Sequence, residues 1–117
     1  MIPAIYNIPD QLKNDTFNGV QFTLTNKTTG DPIDLTGSSI AIDFKYKSKT
    51  GVIAKSISVG SGITVDAPAT GVFVIDAFVV NWNKGTHYYD VEITDTSAVV
   101  STYVSGVLNV IQDVTNG

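Results

Sequence analysis

The stretch Asn81-Trp82-Asn83-Lys84-Gly85-Thr86-His87-Tyr88-Tyr89-Asp90-Val91-Glu92-Ile93 reads as a tight turn that feeds a strand. Beyond Gly85 the residues alternate: His87, Tyr89, Val91 and Ile93 share one face, while Tyr88, Asp90 and Glu92 share the other. That period of two belongs to a half-buried strand. A second long strand pattern follows from Val99 to Ile111, joined to the first through Asp95-Thr96-Ser97. Two long neighbouring strands behind a glycine turn place the chain among all-β proteins.

Working outward, Met1 to Phe17 carries apolar residues in no clean period, with prolines at positions 3 and 9. Proline gives no N–H to a ladder and pushes its predecessor out of helical geometry, so this segment reads as an extended arm. Val20, Phe22 and Leu24 alternate with Gln21, Thr23 and Thr25. Residues 26–32 form a loop, and Ile33 and Leu35 a short strand before Gly37. The cleanest alternation sets Ile40, Ile42, Phe44 and Tyr46 inward against Ala41, Asp43, Lys45 and Lys47. Ser48-Lys49-Thr50-Gly51 turns that strand back into Val52 to Val59 as a hairpin. Gly60-Ser61-Gly62 interrupts the return, Ile63 and Val65 suggest another short strand, and residues 66–71 turn. Val72 to Ala77 is a strand, and Phe78 to Trp82 a single turn crossing to the other sheet. About seven or eight short strands, with turn signals every ten or so residues, are the pattern of a sandwich.

Composition narrows the function. A chain of 117 residues is most economically one domain, divided here into an arm over 1–17 and a sandwich over 18–117. There are no cysteines, so disulfides, thiolate metal sites and cysteine nucleophiles are excluded. All seven basic residues are lysines and the net charge is −4. Without arginine there is no planar fork for phosphate or guanine, and an acidic surface repels a polyanion, so no nucleic-acid partner is expected. No window reaches the ~18 apolar residues of a membrane span, and the N-terminus lacks a signal-peptide pattern, so synthesis and folding in a cytoplasm are expected.

The candidate chemistry is sparse. His87 is the single histidine, which removes triads and multi-histidine metal sites. A partly buried structural histidine is the reading it supports. Tyr89 shares the apolar face and is expected to point inward, its hydroxyl reaching back to the turn backbone. Trp82 and Gly85 complete this structural corner. Asp31, Asp34, Asp66, Asp76 and Asp95 lie mostly in or next to turns and match no calcium-loop spacing, and a single glutamate gives no obvious carboxylate pair for glycoside hydrolysis. No catalytic residue, cofactor or metal is expected. Lys45, Lys47 and Lys49 put three charges on one strand face, read as a charged edge strand that could meet an acidic neighbour. Ile2, Ile5, Tyr6, Ile8 and Leu12 give the arm an apolar surface with little polar cover, the footprint of a subunit contact. The competing arrangement folds the arm back over its own sandwich. A carbohydrate-binding module, with Trp82, Tyr88 or Tyr103 as platform, is a rival that needs an exposed ring.

Several segments together resemble a family. They are Ile8-Pro9-Asp10, Asp15-Thr16-Phe17, Pro32-Ile33-Asp34-Leu35-Thr36-Gly37, Gly62-Ile63-Thr64-Val65 and Gly71-Val72-Phe73-Val74-Ile75-Asp76. Gly85-Thr86-His87-Tyr88-Tyr89-Asp90-Val91 follows, then Gly106-Val107-Leu108-Asn109-Val110 and Gln112-Asp113-Val114-Thr115. The chain resembles small β-sandwich structural proteins of tailed phages and prophages, akin to the N-terminal domain of upper baseplate proteins. It departs from them at Asn14, Trp82 and His87, where glycine, leucine and tyrosine are usual. Trp82 to Thr86 followed by Tyr88 also resembles a fibronectin type III corner, which would turn Tyr88 inward instead of Tyr89. The resemblance implies an immunoglobulin-like antiparallel sandwich with an extended N-terminal arm. It implies a virion location, a tail or baseplate adaptor role, and other virion proteins and further copies of the chain as partners. A capsid decoration protein is the alternative. Because the sequence stops just after its last strand, an adaptor, sleeve or decoration subunit is expected over a host-recognition protein.

Overall fold

The structure, a computed structural model, describes residues 3–112. The described residues form eleven strands: β1 (Ala4–Ile5), β2 (Ile8–Leu12), β3 (Thr16–Phe17), β4 (Val20–Thr23), β5 (Ser39–Tyr46) and β6 (Ile53–Val59), then β7 (Gly62–Thr64), β8 (Val72–Ile75), β9 (Phe78–Val79), β10 (Gly85–Thr94) and β11 (Val100–Ile111). Among the described residues the only helical element is a 3-10 turn, Pro68–Thr70. The protein is all-β and sandwich-like.

One sheet runs β1-β11-β10-β5-β6-β7-β8-β4, with β2 also on β11, while β3 and β9 form a separate pair. The long sheet curls over at β6–β7, where a short parallel pairing sets Ser58 beside Gly62 and Val59 beside Ile63. The β4, β7 and β8 end thereby faces the β5, β10 and β11 end. Between them lies one apolar cluster: Ile40, Ile42 and Phe44 of β5, Tyr89, Val91 and Ile93 of β10, and Phe22, Ile63, Phe73 and Ile75 opposite. Phe44 is fully buried and touches three rings, with centroids 5.1 Å from Trp82, 5.5 Å from Tyr89 and 6.4 Å from Phe78. Phe22 and Phe73 stack at 5.1 Å. The period-two pattern of β5 and β10 fixed this layer, because a one-residue slip would turn every one of these side chains to solvent.

Two local expectations differ from the structure. Ile33 to Leu35 makes no strand beyond a single bridge of Thr25 to Pro32. Its backbone is engaged elsewhere, Leu35 N–H donating to the Pro68 carbonyl at 2.8 Å while its side chain is buried. Phe78 and Val79 are not a turn but a short strand, antiparallel to Thr16 and Phe17. Asn14 N–H to Val80 O (2.6 Å) and Val80 N–H to Asp15 O (2.9 Å) continue that pairing.

The arm does not stand apart from the sandwich. Ala4 and Ile5 lie parallel to Val104 and Ser105, and Ile8, Gln11 and Leu12 pair with Leu108, Val110 and Ile111. The arm therefore extends the sheet at the β11 edge. Lying beside β11, it leaves the outer faces of β8 and β11 half-buried at Val72, Val74 and Val107.

Candidate functional site

The polar groups that could do chemistry fall in two places. The first is the corner where the arm, β10 and β11 meet. Tyr89 is 2% exposed, and its hydroxyl donates to the Tyr6 carbonyl at 2.6 Å. Burial, with the Tyr6 phenol adding to it, pushes the Tyr89 phenol well above its ordinary range, so it stays a neutral donor. Tyr6 N–H donates to Ser105 O at 2.9 Å, and Val107 N–H to the Asn7 side chain at 3.2 Å. Gly106 lets the arm approach so closely: a Cβ there would collide with the Tyr6 carbonyl oxygen. The inward residue is thus Tyr89, while Tyr88 is half-buried on the other face. The hydroxyl expected to reach the turn goes to the arm, and the turn is tied by a different ring. Tyr46 O–H donates to Lys84 O at 2.8 Å.

Gly85 makes that turn possible. Its φ is +127°, in a region that a side chain resists, and a Cβ would press on the Tyr46 ring at 3.1 Å. Behind it His87 is fully buried between Tyr46 and Trp82, with both ring centroids 5.0 Å away. Its Nδ1 lies 3.2 Å from the Gly85 carbonyl and Nε2 has no partner. Burial lowers its pKa, with the Gly85 and Leu108 backbone carbonyls opposing, so the ring stays neutral near pH 7. A sealed, neutral imidazole cannot exchange protons with a substrate. Trp82 is 7% exposed and packs on Phe44, Phe78 and His87. A sugar platform on Trp82 therefore has no open ring face.

The second place is the outer face of β5 and β10. There Lys45 and Lys49 share a shallow depression with Asp43, Asp90 and Glu92. The charged-edge reading of Lys45, Lys47 and Lys49 is corrected here: β5 lies inside the sheet, paired with β10 on one side and β6 on the other. A bulge between Phe44 and Lys45, and a φ of +70° at Lys47, break the expected single row. Lys47 instead lies over the Tyr46 ring at 5.2 Å. Asp43 faces Asp90 directly across the strands and accepts from the Ser56 hydroxyl at 2.6 Å. Two lysines beside three carboxylates give a face of mixed charge. Among the described residues no group of three acids, histidines or cysteines is placed to hold a metal ion. In the loops, the hydroxyl and N–H of Thr36 hold the Asp34 carboxyl below the usual range.

The arm residues separate. Ile8 is 3% exposed within its own chain's core and is not offered to a neighbour. Ile5 is 76% exposed, and Tyr6 and Leu12 keep over a third of their surface open. Ile2 lies outside the described residues.

One feature gave no signal in the sequence. The sandwich is open on the side where β4 faces the arm, and a groove of about 630 Å³ runs there. Tyr6, Val20, Phe22, Leu24 and Tyr103 wall it, with Lys27 its one charged residue. Two of these lining rings, Tyr6 and Phe22, meet edge-on with centroids 5.6 Å apart. Sequence distance hides it, because its walls come from positions 6, 22 and 103.

Comparison with family models, with curated proteins and with solved structures finds no match for this chain. What the fold and the site define is an all-β, sandwich-like module with its polar chemistry sealed or spread over its surface.

Proposed function

We propose that this chain is a non-enzymatic structural protein of a tailed-phage particle, acting as a tail or baseplate adaptor that assembles through its arm and its sandwich surfaces. The observation that carries this reading is where the two kinds of group lie. The one histidine is walled in by aromatic rings, while large apolar side chains stand in solvent at Ile5, Val52, Val99 and Val100. Exposed aliphatic residues of this size suit contacts between subunits, each burying apolar area at roughly 25 cal/mol per Å². The resemblance of the turn and strand-start motifs to small phage sandwich proteins supports the virion setting.

The arm's place in its own sheet changes how this is tested. Deleting residues 1–12 would remove Ile8 from the core and so damage the fold as well as any contact. Ile5→Asp and Leu12→Asp charge the exposed positions and leave Ile8 in place. Both variants are expected to fold, and to be depleted from particles at least about tenfold against wild-type chain in a co-expression competition. Equal incorporation of both variants would remove the arm from the contact.

A further inference from the structure

The strand β4 ends the sheet, and among the described residues nothing pairs with its far side. Leu24 N–H donates to Gly71 O at 2.8 Å, and Phe22 faces Phe73. By the alternation of an antiparallel ladder, the N–H and C=O groups of Gln21 and Thr23 therefore point away from β8, into the opening. Natural sheets guard such edges with charge, proline, a bulge or a cover. From Val20 to Thr25 there is no charged residue and no proline, and the β4–β8 register runs without a bulge. The opposite edge is guarded: the arm covers β11 and carries Pro3, Pro9 and Asp10. One edge is covered and the other is left bare beside an apolar groove.

We propose that the β4 edge is a self-association surface, which a second copy of this chain covers with its own β4 in antiparallel pairing about a two-fold axis through Phe22. The surface is self-complementary in that arrangement. Gln21 N–H meets Thr23 C=O of the second copy, Thr23 N–H meets its Gln21 C=O, and the axis repeats both, giving four backbone hydrogen bonds. The exposed side chains that come opposite, Gln21 and Thr23, are uncharged hydrogen-bonding groups, so no like charges oppose each other. The groove is accounted for as well. Joining the β4 strands makes one layer continuous and brings the two arm edges together over the seam, so Tyr6 and Tyr103 of each copy wall a shared apolar strip. Lys27 lies at the loop end, away from the axis. A second copy fits this edge because its exposed Gln21 and Thr23 come opposite one another with no like charges opposed.

This deepens the homo-oligomer element of the assembly reading and rests on it, yet it is tested on the purified chain alone. Sedimentation from about 1 μM to about 1 mM is expected to show a monomer–dimer equilibrium, with hydrogen exchange at the Gln21 and Thr23 amides slowing as dimer forms. Thr23→Pro removes an N–H that the monomer does not use, and Thr23→Lys adds an edge charge. Each is expected to weaken the dimer at least about tenfold while the melting temperature in dilute solution stays at the wild-type value. A chain monomeric throughout, or a dimer indifferent to both variants, overturns the proposal. A monomeric chain that still enters particles refutes this surface and leaves the virion reading standing. A dimer with this surface that never enters particles does the reverse.

Discussion

Gly106→Ala adds one methyl group and should release the arm. The new Cβ has no room, because the Tyr6 carbonyl occupies its place and the Tyr89 ring stands 3.1 Å away on the same side. Tyr6 must retreat, and three hydrogen bonds leave with it: Tyr89 O–H to Tyr6 O, Tyr6 N–H to Ser105 O, and Val107 N–H to Asn7. At about 1 kcal/mol each, their loss costs roughly 2 to 3 kcal/mol. Shifting Ile8, now 3% exposed, forfeits about 1 to 2 more. The expected total is roughly 3 to 5 kcal/mol, a large part of the ~5 to 15 that a domain of this size has. Urea titration measures the sum, and hydrogen exchange locates it. Amides of Tyr6 and Lys13 should lose protection first, while those of β5 and β10 keep theirs. Because the lost bonds include that of Tyr89, introducing the change into a Tyr89→Phe background should cost about 1 kcal/mol less. A Gly106→Ala protein of wild-type stability, with Tyr6 still protected, would refute the close approach of the arm.

Three further outcomes follow from the same structure. His87 has its folded pKa depressed below the unfolded 6.5, so as pH falls through 6.5 the unfolded chain takes up a proton that the folded one refuses. Stability should therefore decline below about pH 6.5, and His87→Phe, whatever its effect at neutral pH, should flatten that slope in melting curves taken from pH 7.5 to 5. Trp82→Ala empties a site between Phe44, Phe78 and His87 and should cost about 3 to 5 kcal/mol in urea unfolding. Wild-type Trp82 emission, from the single tryptophan, should shift to the red on unfolding. Tyr46→Phe removes only the bond to Lys84 O and should cost about 0.5 to 1.5 kcal/mol by the same titration.

Much of this architecture was legible in the sequence because β5 and β10 alternate cleanly. Ile40, Ile42 and Phe44, with Tyr89, Val91 and Ile93, declare one buried face by period alone. The hairpin between β5 and β6 was equally open to reading, since Ser48 to Gly51 holds turn residues between two strand patterns. What escaped was lateral order. Nothing in the Lys45-Tyr46-Lys47 pattern says whether its strand lies at an edge or inside, because charge on one face suits both. The arm escaped for a related reason. Its irregular period reflects pairing along β11, where prolines interrupt the ladder and, of the residues paired there, Ile8 reaches the core. Tyr89 was readable as an inward ring, but its acceptor, 83 residues away in sequence, was not. The groove is the extreme case, assembled from segments that share no local pattern.

The central claim, that this chain is a component of a phage particle, is met most directly by quantitative mass spectrometry of purified tailed-phage particles from the strain that encodes it. The chain is expected in a fixed ratio to the tail or baseplate proteins, retained through gradient purification. Its absence from clean particles, with the major tail and head proteins present, would contradict it.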